Sequence, residues 1–179
     1  MTQQGIVQSH GGPTEVRVRA ATPADCDAIA SMCASLWPES TAQEHAKDLL
    51  PVLRGEPRST LPMTIFVAES ASHDSESASV TAARGTAMVG FLEVGLRSHA
   101  DGCDTSHAVG FIEGWYVLET WRRQGVGAQL LAAAERWARA QGCIEMASDT
   151  WIDNDGSQRA HEALGYEVVD RCVHFRKRL

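Results

Sequence analysis

Apolar and polar residues alternate with period two over 15–20, the pattern of a half-buried strand. The period then lengthens. Thr22-Pro23-Ala24-Asp25 supplies a capping hydroxyl, a proline at the first helical position and a carboxylate three residues after the cap. Ile29, Met32, Cys33 and Leu36 follow at i, i+3, i+4, i+7, an apolar helical stripe that ends near Trp37-Pro38. A second helix is expected from about 41 to 53, stopped by Gly55 and Pro57. β-Branched and aromatic residues mark a strand over 64–69, and alternation marks two long antiparallel strands over 86–97 and 109–118, separated by the polar loop 98–108. Five serines and two acids fill 70–79, which reads as a mobile hairpin loop. Val126, Leu130, Leu131, Ala134, Trp137 and Ala138 mark a long helix with Arg139 in its last turn and Gly142 as its stop. A strand is expected over 144–150, a helix over 155–164 capped by Gly165, and two closing strands over 166–170 and 172–178. The polar, Gly-rich 1–14 is expected to fray, leaving 15–179 as a single domain. The order β-α-α-β-β-β-α-β-α-β-β implies an α/β (α+β) fold with a mixed, mostly antiparallel central sheet and helices on both faces.

At 179 residues, with 44% hydrophobic and 22% charged, the chain has the size and composition of one folded domain rather than a disordered tail or a fibre. No apolar run nears the roughly 20 residues that cross a bilayer, and the start lacks the apolar centre of a secretory signal, so a soluble cytoplasmic protein is expected. The net charge of −7 disfavours nucleic acid and suits polycationic small molecules. Arg171, Arg176, Lys177 and Arg178 cluster near the C-terminus, where a charge run reads as a solvated edge. The five cysteines form no C-x-x-C pair and have no histidine at zinc-ligand spacing, so they read as reduced thiols and no metal site is expected.

One loop carries more specific chemistry. Between the strand ending near Leu118 and the long helix lies Glu119-Thr120-Trp121-Arg122-Arg123-Gln124-Gly125-Val126-Gly127, followed by Ala128. Glycines at 125 and 127 let backbone N–H groups converge where the helix dipole adds positive potential, and Arg122 and Arg123 stand beside them, which suits a pyrophosphate. The alternative is a helix start with glycine for close packing and two solvated arginines. Neither a Walker loop nor a dinucleotide fingerprint is present.

Arg122-x-x-Gly125-x-Gly127 resembles the Gln/Arg-x-x-Gly-x-Gly/Ala motif of the GNAT superfamily of acetyl-CoA-dependent N-acetyltransferases, and Asn154 with His161 and Gly165-Tyr166 resembles that superfamily's penultimate helix segment. Gly110-Phe111-Ile112-Glu113-Gly114-Trp115-Tyr116-Val117-Leu118, Ala147-Ser148-Asp149, Leu36-Trp37 and the terminal Val173-His174-Phe175-Arg176 are similar to segments of the aminoglycoside 6′-N-acetyltransferases, which confer antibiotic resistance. The resemblance covers roughly 15–178. It implies a GNAT-like fold, acetyl-CoA as co-substrate, an aminoglycoside as acceptor and, as in several members, a homodimer.

An ammonium cannot attack a thioester, and an amine with a pKa of about 10 arrives protonated, so the site must hold a cation, take a proton and aim the lone pair. The resemblance puts Glu113 and Asp149 in the acceptor pocket, Glu113 as base acting directly or through water, with Asp170 as a further acidic contact. It makes Trp37 a sugar-stacking residue with Glu39 beside it. Taken without it, Glu113 is a strand carboxylate that alternation sets on one face with Phe111, Trp115 and Val117, Asp149 and Asn154 are helix or turn caps, Asp170 is a turn residue and Trp37 a core plug. The cofactor set is Trp115, Tyr116 and Val117, whose backbone would pair with pantetheine as an added strand in a splay opened by Gly114, together with Arg122, Arg123, Gln124, Gly125, Val126, Gly127, Ala128 and Asn154. A backbone N–H near Val117 would serve the thioester oxygen. His161 stands where many members carry an acid tyrosine and is either that acid or a satisfied helix histidine. The subgroup's tyrosine before the Glu-Gly strand is missing, leaving His99 or Ala100 there, so the acceptor range is expected to differ. Acetylation of another amine (a protein N-terminus, lysine or polyamine) and non-catalytic CoA binding remain alternatives.

Overall fold

A computed structural model of the chain describes residues 15–56, 60–70 and 86–178. The expected N-terminal fraying, the helix stop at Pro57 and most of the serine-rich 70–79 loop lie outside the described residues. The elements are β1 (Val16–Ala20), a 3-10 turn (Pro23–Asp25) running into α1 (Cys26–Leu36), α2 (Ala42–Leu53), β2 (Met63–Ser70), β3 (Ala87–Arg97), β4 (Val109–Val117), α3 (Val126–Ala140), β5 (Met146–Ser148) and α4 (Asp155–Ala163). The sheet runs in that order, β1 to β5, antiparallel through β4 and parallel between β4 and β5, where α3 makes the crossover.

Both faces of the sheet are covered. Ile29 and Cys33 of α1 and Leu49 of α2 pack on Ile65, Val67 and Phe91. Val126, Leu130 and Leu131 of α3 pack on Val89, Leu92, Val94 and Ile112 from the other side. The start of α1 is pinned to the sheet. Thr22 donates through N and Oγ1 to Asp25 Oδ2 at 2.7 and 2.9 Å, and Arg19 of β1 grips both oxygens of buried Asp25 at 2.8 Å while also donating to Glu69 of β2. That guanidinium holds the Asp25 carboxyl below the usual aspartate range. Burial pushes the Cys33 thiol up to about 12, so it is inert as a nucleophile.

Two expectations fail. The predicted closing strands 166–170 and 172–178 do not form: the segment runs extended and exposed, with Val168, Val169, Val173 and Phe175 54, 63, 76 and 94% exposed. A period-two apolar pattern makes a strand only against a free ladder, and β5, expected over 144–150, is three residues long and offers too little edge. The second failure is in β4. Gly114 pairs with Glu93 while Ile112 pairs with Val94, so Glu113 is the extra residue of a β-bulge. Alternation across it is broken, and Glu113 does not share a face with Trp115 and Val117, which belong to the α3 side.

Candidate active site

The bulge turns Glu113 toward the face covered by α1 and α2. Its Oε1 would lie 3.7 Å from a Cβ added at Gly95, a neighbour on that face, and Arg97 Nε and Nη2 donate to its two oxygens at 3.1 and 2.7 Å. The Arg97 guanidinium stacks 3.3 Å from the centre of the Phe111 ring. Trp37, the C-cap of α1, lies over Gly114: a Cβ there would stand 2.6 Å from Trp37 Cη2. Gly114 therefore admits the indole, and the splay opens one step earlier, since β4–β5 pairing ends at Ile112 and Ser148. Asp149, exposed, directly follows Ser148, the last residue of β5 paired with β4. Glu39 is exposed just beyond Trp37, and His99 is exposed after β3, its Nδ1 3.2 Å from Ser98 Oγ. Asp170 is exposed and accepts the Arg171 N–H at 2.6 Å in the C-terminal segment, whose Val169 abuts Gly102.

On the far side of β4 lies the loop expected to seat an anion. Arg123, at φ 60°, is the one described non-glycine residue in the left-handed region, and Gly125, the N-cap of α3, has φ 80°. Backbone held this way before a helix turns successive N–H groups toward one point. The two glycines divide the work differently than expected. A Cβ at Gly125 would meet nothing within 4 Å, so its role is conformational, whereas one at Gly127 would stand 2.7 Å from Trp115 Cζ2, so that glycine lets the indole lie against α3. Arg122 Nε donates to Val117 O at 3.0 Å and Gln124 Nε2 to Thr120 O at 2.7 Å, stitching the loop to the end of β4; Arg123 and Ala128 are exposed, and Val126 is buried beneath. Because the Leu118 N–H turns to Val89 O, the N–H groups of Val117 and Trp115 face the opposite side, where β5 has ended. An open strand edge leading from that loop to Glu113 fits an extended, phosphate-bearing thioester.

Asn154 caps α4, its Oδ1 accepting the Ser157 N–H at 3.0 Å. His161 Nδ1 lies 2.8 Å from Ser157 O, a carbonyl that can only accept, so Nδ1 is a donor there. The ring meets Trp115 and Tyr166 edge-on at 5.3 Å each. Among the described residues His161 Nε2, Trp115 Nε1 and Tyr166 Oη are buried without a hydrogen-bond partner.

Residues 31–166 match the model of the acetyltransferase (GNAT) family. The chain belongs to that family. It is 39% identical to an aminoglycoside N(6′)-acetyltransferase type 1 of Klebsiella aerogenes over 90% of this chain and 96% of that one. Against the protein of the same name from Stenotrophomonas maltophilia the identity is 37%, over 89 and 91%. AAC(6′)-Iy, solved in complex with the bisubstrate analogue CoA-S-monomethyl-acetylneamine, aligns with a TM-score of 0.74 at 32% identity and covers 93% of this chain and 100% of that one.

Two residues of this GNAT site escape sequence reasoning. Arg97 reads as the polar end of a strand, and only the antiparallel register with β4 brings it over Phe111 and Glu113. Glu93 reads as an ordinary strand acid, yet it is buried opposite Gly114 and its charge reaches Cys33. The signal for both is the bulge, and Gly114 beside Glu113 is its one trace in the sequence.

Proposed function

We propose that this GNAT chain transfers the acetyl group of acetyl-CoA to the 6′-amine of an aminoglycoside and thereby gives resistance to it. The observation that carries the reading is the bulged Glu113, half-buried next to Gly114, over which Trp37 lies, at the point where the open edge of β4 begins. The names of the two relatives supply the acceptor, and the complex of AAC(6′)-Iy with its bisubstrate analogue supports the pairing of the two substrates.

Acetyl-CoA brings an activated acyl group. The loop Arg122–Ala128 and the start of α3 hold its diphosphate, with Arg123 free of the stitching that occupies Arg122 and Gln124. The N–H and C=O of Trp115 and the N–H of Val117 pair with its extended arm, and the Val117 N–H is the donor for the thioester oxygen. Trp37 stacks on a sugar ring, with Glu39, His99, Asp149 and Asp170 gathering the remaining ammonium groups. Glu113 orients the attacking nitrogen and takes the proton it sheds as the C–N bond forms and the C–S bond breaks, directly or through water. His161, its Nδ1 on Ser157 O and its ring against Trp115 and Tyr166, packs the site, and Asn154 orders α4 beside the arm.

The reading includes a cytoplasmic homodimer. Its support is the C-terminal segment, whose exposed Val168, Val169, Val173 and Phe175 a second copy would cover. Sedimentation of the intact chain is expected to give a dimer; a monomer at micromolar concentration would refute that part, and recovery from a compartment other than the cytoplasm would refute the location. Thiol release from acetyl-CoA tests the chemistry. Kanamycin is expected to be acetylated far faster than spermine or peptides; the reverse ranking would move the acceptor to another amine, and tight CoA binding without turnover on any amine would leave a binding module.

A further inference from the structure

Both oxygens of the proposed base are already held by a cation. Arg97 grips Glu113 as a fork, Nε on Oε1 at 3.1 Å and Nη2 on Oε2 at 2.7 Å, and Phe111 stacked at 3.3 Å keeps the guanidinium in place. The pair is only half-buried, with side chains 42 and 31% exposed, so the pocket is open to an incoming substrate. A bare carboxylate there would work against the reaction. Opposite charge stabilises an ammonium and raises its pKa, and an ammonium has no lone pair to give. A guanidinium beside the carboxylate cancels most of that attraction and, as a like charge, disfavours the protonated amine.

We propose that Arg97 is a positioning residue whose grip on Glu113 makes the site take the acceptor amine as its free base. This rests on the acceptor reading above and specifies its proton inventory. The bound amine has already released one proton to solvent. Its lone pair forms the C–N bond to the thioester carbonyl carbon, the C–S electron pair leaves on sulfur, and the surplus proton on nitrogen passes to Glu113 and from there through solvent to the thiolate, giving amide and thiol. The other titratable groups around the pair are Glu93, buried on β3 and engaged in interactions of its own; His45 of α2, whose ring is 5.9 Å from that of Trp37; Tyr116 of β4, under Arg122; Asp149 after β5; and His99 after β3. Three of these neighbours and partners are acids, Glu93, Glu113 and Asp149, so removing Arg97 leaves the pocket strongly selective for a cation.

The test is calorimetry of aminoglycoside binding to the full chain saturated with CoA, at pH 7, in buffers of different ionisation enthalpy. For the unmodified chain a 6′-amino aminoglycoside is expected to release about one proton more than its 6′-hydroxyl congener, since the free amine has a pKa well above 7. Arg97→Met keeps an apolar stem over Phe111 and loses the charge. It is expected to bind the amine about tenfold more tightly, to release less than half that proton, and to show a lower kcat at pH 7 whose ascending limb, set by deprotonation of the bound amine, moves about one pH unit upward. Arg97→Lys, which keeps the charge, is expected to retain the proton release. Equal proton counts for the two congeners on the unmodified chain, or an Arg97→Met variant with unchanged proton release and pH profile, would overturn the proposal while leaving acetylation intact. If the unmodified chain acetylates no aminoglycoside, the acceptor reading falls, and this proposal with it.

Discussion

Gly114→Ala is the sharpest structural probe of the pocket. Gly114 does not sit in the left-handed region, so alanine brings no backbone strain there, and the whole effect is steric. The added Cβ would stand 2.6 Å from Trp37 Cη2, 3.3 Å from Cζ2 and 3.6 Å from Phe91 Cε2. Carbon atoms settle at roughly 3.5–4.0 Å, so the indole must retreat by about 1 Å. Its backbone gives little freedom to do so, because the Trp37 N–H is tied to Cys33 O at 2.7 Å and its carbonyl lies 3.4 Å from His45 Nε2. Overpacking of this kind costs about 1–3 kcal/mol, which for a chain of this size is about 2–12 °C in Tm. Urea unfolding reads the first number and steady-state kinetics the consequence: the aminoglycoside KM should rise while the acetyl-CoA KM, set on the other side of β4, stays within twofold. A variant within about 0.5 kcal/mol of the parent and with an unchanged aminoglycoside KM would show that Trp37 does not shape the acceptor pocket.

The opposite selectivity is expected of Gly127→Ala, whose Cβ would stand 2.7 Å from Trp115 Cζ2: acetyl-CoA affinity measured by calorimetry should fall and aminoglycoside KM should not. Gly125→Ala meets no atom within 4 Å and bears only the strain of φ 80°, about 1 kcal/mol in urea unfolding, so it should cost less stability than Gly127→Ala. Glu113→Gln should lower kcat by about 10²–10⁴ with CoA binding retained, and full turnover would remove Glu113 from the base role. Asp25→Asn should destabilise by about 2–4 kcal/mol at pH 7, because it breaks a buried pair with Arg19. Since the folded carboxyl titrates below its unfolded value, that stability is present above the ordinary aspartate pKa of about 4 and lost as pH falls through the lowered one, so the gap between parent and variant should shrink on acidification.

What the sequence made legible was whatever local periodicity and capping control. The Thr22 cap, the α1 stripe, the start of α2 and the Gly142 and Gly165 stops lie where the pattern put them, because each depends on residues within one turn. The motif loop was legible for the same reason. The bulge was not, because an extra residue in one strand is visible only against its partner, and with it went the face of Glu113 and the roles of Arg97 and Glu93. The tail misled for the converse reason: its valines alternate well enough, but period two says nothing about whether a neighbouring edge exists. That the missing side chain of Gly127 also makes room for Trp115 is a contact between residues twelve apart that no motif encodes.

The most direct test of the whole account is to pair two aminoglycosides that differ only at the 6′ position and follow acetyl transfer by thiol release and product NMR. The 6′-amino compound should be acetylated at that nitrogen and the 6′-hydroxyl compound left unmodified at the same enzyme concentration. Equal rates on both, or an acetyl group found on a different nitrogen of the first, would contradict it.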